Sequence, residues 1–419
     1  DVLEKGRGSP YADWFEITSW SPFHYRAWDG EDGALPRLRH DEALGLCPAV
    51  RNHLFAITRR WMDPDGDGDP SDGIDGWRLD VAGDINAHFW KDWRTLAKSI
   101  NPDAFLVAEL WTESRQWLDG STFDGVMNYP FAERCVRFFV NRDKRIGPKR
   151  FDRQLREMLG WYDPEVCAVL QNLLGSHDTD RAASMFMNPD REYNESNRIQ
   201  DNGSDYNTAR PTPECYRKLR LMVTFQMTFP GAPMLYYGDE AGMYGASDPS
   251  NRKPMLWDDL APYDDPDAHV EPELLEHTRR MIAIRNTFPA LRRGTIKTLV
   301  ANDRTRLYSY VRSLSDPEGP GQVVVVLNNS DDRRRLHVPS PWPDGAAIVR
   351  LDDPASCEIS FPSTEDPTVR PGVRPIAGHR TDWRVEVGRL RGPMLSPWTG
   401  AVFYSPDQGW AVPTLRGSR

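Results

Sequence analysis

Three apolar runs, each closing on an acidic residue, restrict what this chain can fold into. Gly73 to Ala82 reads GIDGWRLDVA and carries Asp80, AFLVAEL closes around Glu109, and VLQNLLGSHD ends in Asp178. Side chains alternate along a strand, so Trp77 and Leu79 point one way and Arg78 and Asp80 the other. Two charges on one face ordinarily mean water. The two further runs change that weighting, because a (β/α)8 barrel gathers its active site from the C-terminal ends of several strands. Between the first two runs, Phe89, Trp93, Leu96, Ala97 and Ile100 form a helical stripe stopped by Asn101-Pro102. A helix between two strands is the mark of a parallel sheet.

Taken in order, residues 1–46 are rich in Gly, Pro and aromatics without a sustained period and read as irregular structure packed on a larger body. Val50, Leu54, Ile57 and Trp61 predict a helix from Pro48 to Trp61. Phe123 to Phe131 reads as a short strand, about Glu133 to Asn141 and Phe151 to Trp161 as helices, and 188–213 as polar loop. Tyr216 to Phe229 is a helix, Ala232 to Gly238 the last strand of the series, and Glu271 to Phe288 another helix. From about Arg292 the period becomes two with no helix between strands, which predicts a separate antiparallel β domain. Within it, residues 352–382 read as an extended Pro-rich loop.

A net charge of −10 without a dense Lys/Arg block argues against nucleic acid and anionic membrane as partners. No apolar run is long enough to span a bilayer, and the compartment, periplasmic or cytoplasmic, stays open. The five cysteines are odd in number, scattered, and form neither a disulfide framework nor a zinc pattern. With 15 Trp the chain is rich in platforms for sugar rings, although core filling accounts for most of them.

Arg78 stays charged, so a partner on its face is required, and Asp80 is the adjacent carboxylate. That pairing keeps Asp80 ionised, as a nucleophile requires. Glu109 closes an apolar run before Leu110 and Trp111, and burial beside apolar groups favours the protonated form of a general acid. One ionised and one protonated carboxyl group make up a retaining glycosidase pair. His177 and Asp178 add a donor and an acceptor for sugar hydroxyls, although a histidine taken singly is more often structural. In MDPDGDGDPSDG, Asp63, Asp65, Asp67, Asp69 and Asp72 crowd a turn. Either the loop is simply solvated, or a hard cation gathers its oxygens, for which Ca²⁺ is suited.

GWRLDVAGD, AELW and LLGSHDTDR, extended by FPGAPMLYYGDEAGM, resemble in order and spacing the motifs of the α-amylase family of glycoside hydrolases. The resemblance implies a (β/α)8 TIM-type barrel followed by an antiparallel β-sandwich. It also implies retaining hydrolysis of α-glucosidic bonds in starch, maltooligosaccharides, pullulan or cyclodextrins. By it Asp80 is the nucleophile, Glu109 the acid/base, Asp178 the carboxylate that binds and distorts the reacting sugar, and Arg78 and His177 their supports. SPYADWF, WLDGSTFDGVMNYPF and DPSNRKPMLW are similar to neopullulanase, cyclomaltodextrinase and maltogenic amylase sequences, which adds Asp248 and Arg252 as substrate-binding residues beside Trp111 of AELW. LPRLR at Leu35 to Arg39 departs from the subgroup's signature there. The acidic loop resembles that of periplasmic amylases with bound calcium.

The family also carries Asp-x-x-x-Asn-His on its third barrel strand, and that motif does not occur here. The expectation is therefore that residues 1–46 are a remnant of the irregular domain inserted after strand 3. Residues 47–291 would then hold strands 4–8, and 292–419 the β domain. The first three strands would be missing, an N-terminal part of the same enzyme would be a partner, and the chain alone would be inactive. Two alternatives remain: a transglycosylase or sucrose- or trehalose-type isomerase, and a non-catalytic relative. The three carboxylates speak against the second.

Overall fold

The motif-bearing strands pair in parallel. Gly76–Leu79, Phe105–Ala108 and Gly125–Val126 form one sheet in that order, with Gly76 opposite Phe105 and Leu79 opposite Ala108. At position 76 an added Cβ would stand 2.2 Å from the Phe105 carbonyl oxygen, so only glycine permits this approach. The computed structural model describes residues 1–408 except 194, 196, 266, 316–320, 361–371 and 377–381. It divides into two units, Asp1–Met127 and Asn128–Arg419.

In the first unit, helix Ala87–Ile100 crosses between the first two strands and buries Phe89, Trp90, Trp93 and Ala97. Trp90 meets Phe89, Trp93 and Phe123 edge to face at 5.0, 5.7 and 5.3 Å, the geometry that aromatic quadrupoles favour. Helix Pro48–Met62 buries Val50 of the predicted stripe together with Phe55, Thr58 and Met62, while Leu54 and Ile57 are half-buried and Trp61 is 56% exposed. Thr58 can face inward because its hydroxyl donates to Leu54 O and accepts from the Trp93 indole, each at 2.8 Å. Residues 1–46 are less irregular than predicted. They hold a three-stranded antiparallel sheet, Ile17–Trp20, Phe23–Ala27 and Gly30–Glu31, and a pair His40–Asp41 with Gly45–Leu46. Strands this short, one broken by a bulge after Ile17, leave no period to read.

In the second unit the two expected strands shrink to a parallel pair, Gln171–Asn172 with Ala232–Pro233. Residues before the first form helix Pro164–Val169. The expected strand Phe123–Phe131 is likewise cut short, because the Asn128 side chain accepts from Phe131 N–H and starts helix Tyr129–Cys135. Helix Pro213–Thr228 is capped by the Thr212 hydroxyl and buries most of its surface. The predicted polar loop 188–213 contains a short helix, Ile199–Asn202.

Period two sorts the C-terminal strands into a sandwich. The five-stranded sheet runs Thr295–Asn302, Leu307–Ser313, Gln322–Asn328, Thr399–Tyr404, Val349–Arg350. One face, with Tyr308, Tyr310, Val325 and Val402, packs into the core of the helices. The alternate residues Val311, Val324, Val326 and Phe403 pack on Val338, Val385 and Leu390 of a three-stranded sheet. The predicted loop 352–382 contains a hairpin, Cys357–Ser360 with Gly372–Pro375. Arg280 Nη1 donates to Cys357 O at 3.0 Å, and Val373 N–H donates to the Thr287 hydroxyl at 2.8 Å. Residues 361–371 and 377–381 of that loop lie outside the described residues.

Candidate active site

The predicted residues of the first unit form one cluster. Glu109 N–H donates to Leu79 O at 2.9 Å, which continues the parallel ladder past both strands and sets Glu109 beside the end that carries Asp80. Arg78 joins the two acids: one guanidinium nitrogen pairs with Asp80, and Nη2 lies 3.1 Å from Glu109 Oε2. The Asp80 side chain is 73% exposed and that of Glu109 only 6%. The Glu109 carboxylate has polar partners that lie beyond its own strand. Besides Arg78, its carboxylate accepts from Val81 N–H at 3.0 Å and from the Trp111 indole at 3.3 Å. Val81 and Trp111 can reach the acid because each follows its strand by two or three residues, where the chain turns back. Val81 has φ +42°, a left-handed conformation that costs a β-branched residue roughly 1–3 kcal/mol. The strained turn aims the Val81 N–H at Glu109.

A second cluster forms within residues 176–252. Asp178 lies 3.1 Å from His177 Nε2 and 3.3 Å from Arg252 Nη2, and Arg252 Nε reaches Asp248 at 2.7 Å. His177, Asp178, Asp248 and Arg252 are thereby brought together. Sequence reasoning missed what holds them. The Asn251 amide donates to Ser176 O, His177 O and Thr179 O at 3.2, 2.8 and 2.7 Å, and the Ser247 hydroxyl to Asp178 O at 3.0 Å. Asn251, fully buried, splints the turn that presents Asp178. Its only sequence signal was its place between Asp248 and Arg252. Arg181, 1% exposed, was also overlooked; it pairs with Asp239 at 3.1 Å and lies 4.2 Å from the Tyr236 ring. Behind Asp178, burial pushes the Asp180 carboxyl up to about 6, partly offset by the Tyr206 hydroxyl that donates to it at 2.8 Å.

In the acidic loop, carboxylate oxygens of Asp63, Asp65 and Asp67 lie within 4.8 Å of one another. Asp69 accepts from Ser71 N–H at 3.0 Å and caps the turn Pro70–Asp72, which also holds Asp72. Three hard oxygens fit part of a Ca²⁺ shell of 6–8, and carbonyls and water complete such shells elsewhere.

Residues 21–294 match the model for the α-amylase catalytic domain. Neopullulanase 2 of Thermoactinomyces vulgaris is 35% identical over 350 residues, 82% of this chain and 51% of that protein. Cyclomaltodextrinase of Geobacillus thermopakistaniensis is 33% identical over 344 residues, 81% and 50% respectively. The native structure of the Nostoc punctiforme debranching enzyme superposes with a TM-score of 0.67 at 28% identity, covering 96% of this chain and 72% of that one. The chain spans about half the length of the curated relatives it matches.

Proposed function

From the premise that the chain belongs to the α-amylase family, we propose that it carries the catalytic carboxylates of a retaining α-glucan hydrolase. The observation that supports this most is the Arg78 guanidinium in contact with both Asp80 and Glu109. One cation touching two carboxylates keeps them close, which suits a retaining pair, about 5–5.5 Å apart, better than an inverting pair at about 6.5–9.5 Å. In the proposed reaction Asp80 attacks the anomeric carbon while Glu109 gives its proton to the departing glycosidic oxygen. A covalent glycosyl–Asp80 ester results. Water then attacks the same carbon, Glu109 takes its proton, and the ester bond breaks. Arg78 anchors both acids, and Trp111 orients Glu109. We assign hydroxyl contacts to His177, Asp178, Asp248 and Arg252. The relatives' names point to pullulan and cyclodextrins as substrates to try first, and to branch points after them. We further propose that Asp63, Asp65 and Asp67 hold a calcium ion ahead of the Asp80 strand.

The test uses Glu109→Gln with two kinds of substrate. On a maltooligosaccharide, which needs a proton on its leaving group, the variant should lose roughly 10²–10⁴-fold in turnover. On an α-glucosyl fluoride, whose leaving group needs none, formation of the intermediate should be far less affected. Equal losses on both substrates would remove Glu109 from the acid role.

A further inference from the structure

The second unit holds a cavity of about 480 Å³ lined by four arginines, Arg217, Arg220, Arg333 and Arg350, none of them a candidate site residue. Two come from helix Pro213–Thr228, where positions 217, 220, 221 and 224 share one face by helical spacing. The Arg350 charge is matched by Asp352 at 2.7 Å, and Arg220 reaches Glu273 at 3.0 Å, itself 75% exposed. Arg217 and Arg333 have no ion-pair or hydrogen-bond partner among the described residues. His277, whose Nε2 lies 3.0 Å from the Thr224 hydroxyl, is held neutral, since burial lowers its pKa to about 4. The lining thus carries four positive charges against one carboxylate, in a chain of net charge −10.

Acidic residues to neutralise these guanidinium groups are plentiful in the chain, yet only Asp352 lines the cavity. Concentrating like charges in a concave site costs repulsion and focuses a positive potential that an external anion relieves. A neutral sugar would instead use an aromatic face, but the Trp398 indole is already contacted by Lys218 at 4.4 Å and Arg145 at 5.5 Å. Guanidinium forks match phosphate oxygens two at a time, and the volume falls in the range of small-molecule sites. We propose that this cavity binds a phosphate group, with Arg217 and Arg333 as its principal ligands and Arg220 and Arg350 as its walls.

The experiment is calorimetric titration of the protein in phosphate-free buffer with glucose 6-phosphate, inorganic phosphate and glucose. Saturable binding of a phosphate species, with none for glucose, is expected. Affinity for glucose 6-phosphate above that for inorganic phosphate identifies a sugar phosphate as the source, and equal affinities identify free phosphate. The double variant Arg217→Ala/Arg333→Ala alters two exposed side chains, and its ligand-free melting curve reports whether the fold is kept. It should bind on the order of a hundredfold or more weakly, since each of the two charge-assisted contacts removed is worth about tenfold or more. Arg59→Ala/Arg60→Ala removes the same charge elsewhere and should leave binding unchanged. No saturable binding, or equal weakening in both double variants, would overturn the proposal.

Discussion

At the scale of single residues, charge in the second unit is held by burial as much as by pairing. Asp180 is 2% exposed, and its carboxyl is pushed up to about 6 by burial. A carboxyl group with a higher pKa folded than unfolded binds its proton better in the folded state. Its contribution to stability is complete below 3.8 and lost as pH rises through about 6. His277 acts in the opposite sense: with a folded value of about 4 against 6.5, its contribution is present above 6.5 and lost as pH falls through about 4. Comparison with Asp180→Asn isolates the first effect, because His277 is common to both proteins. The variant should gain on the wild type between pH 4 and 6 by on the order of 3 kcal/mol, read from urea midpoints. A difference that stays flat across this range would mean that Asp180 titrates normally.

At the scale of elements, two features position the Asp80 strand. Gly76 is the first: a methyl group there would meet the Phe105 carbonyl at 2.2 Å, and no side-chain motion relieves a clash with backbone. Gly76→Ala should destabilise the first unit by roughly 1–3 kcal/mol and, by shifting Arg78 with its strand, lower activity more than stability alone explains. Unchanged urea unfolding would show that the sheet yields at no cost. The acidic loop is the second feature. If Asp63, Asp65 and Asp67 hold calcium, saturating Ca²⁺ should raise the melting temperature by a few degrees, chelation should reverse it, and Asp65→Asn should abolish the response. Identical melting with calcium and with chelator would remove the metal.

Across the molecule, legibility followed the range of the interactions. Period two in LYSYVRS and QVVVVLN was readable because each residue's neighbours on its face are two positions away, and those faces are the ones the sandwich buries. Asp80 and Glu109 were readable for a similar reason, each standing next to the strand that presents it, whereas Asp178 lies on a turn well past Asn172. The Asn251 splint was not, because Asn251 reaches partners 72 to 75 residues away and leaves no local pattern. The polar partners of Glu109 left no local pattern for the same reason: they come from Arg78 on the preceding strand and from Val81 just past its end.

The central claim, that Asp80 is the nucleophile of a retaining pair, is tested most directly by trapping the intermediate. A fluorinated α-glucosyl fluoride slows both steps but, with its good leaving group, lets the glycosyl ester accumulate, and peptide mass mapping then locates the added sugar. The label should fall on Asp80, within the peptide GWRLDVAGD, and should be absent from Asp80→Asn. A label on Asp178 or on any other residue, or an active protein that releases product of inverted configuration without ever becoming labelled, would contradict the assignment.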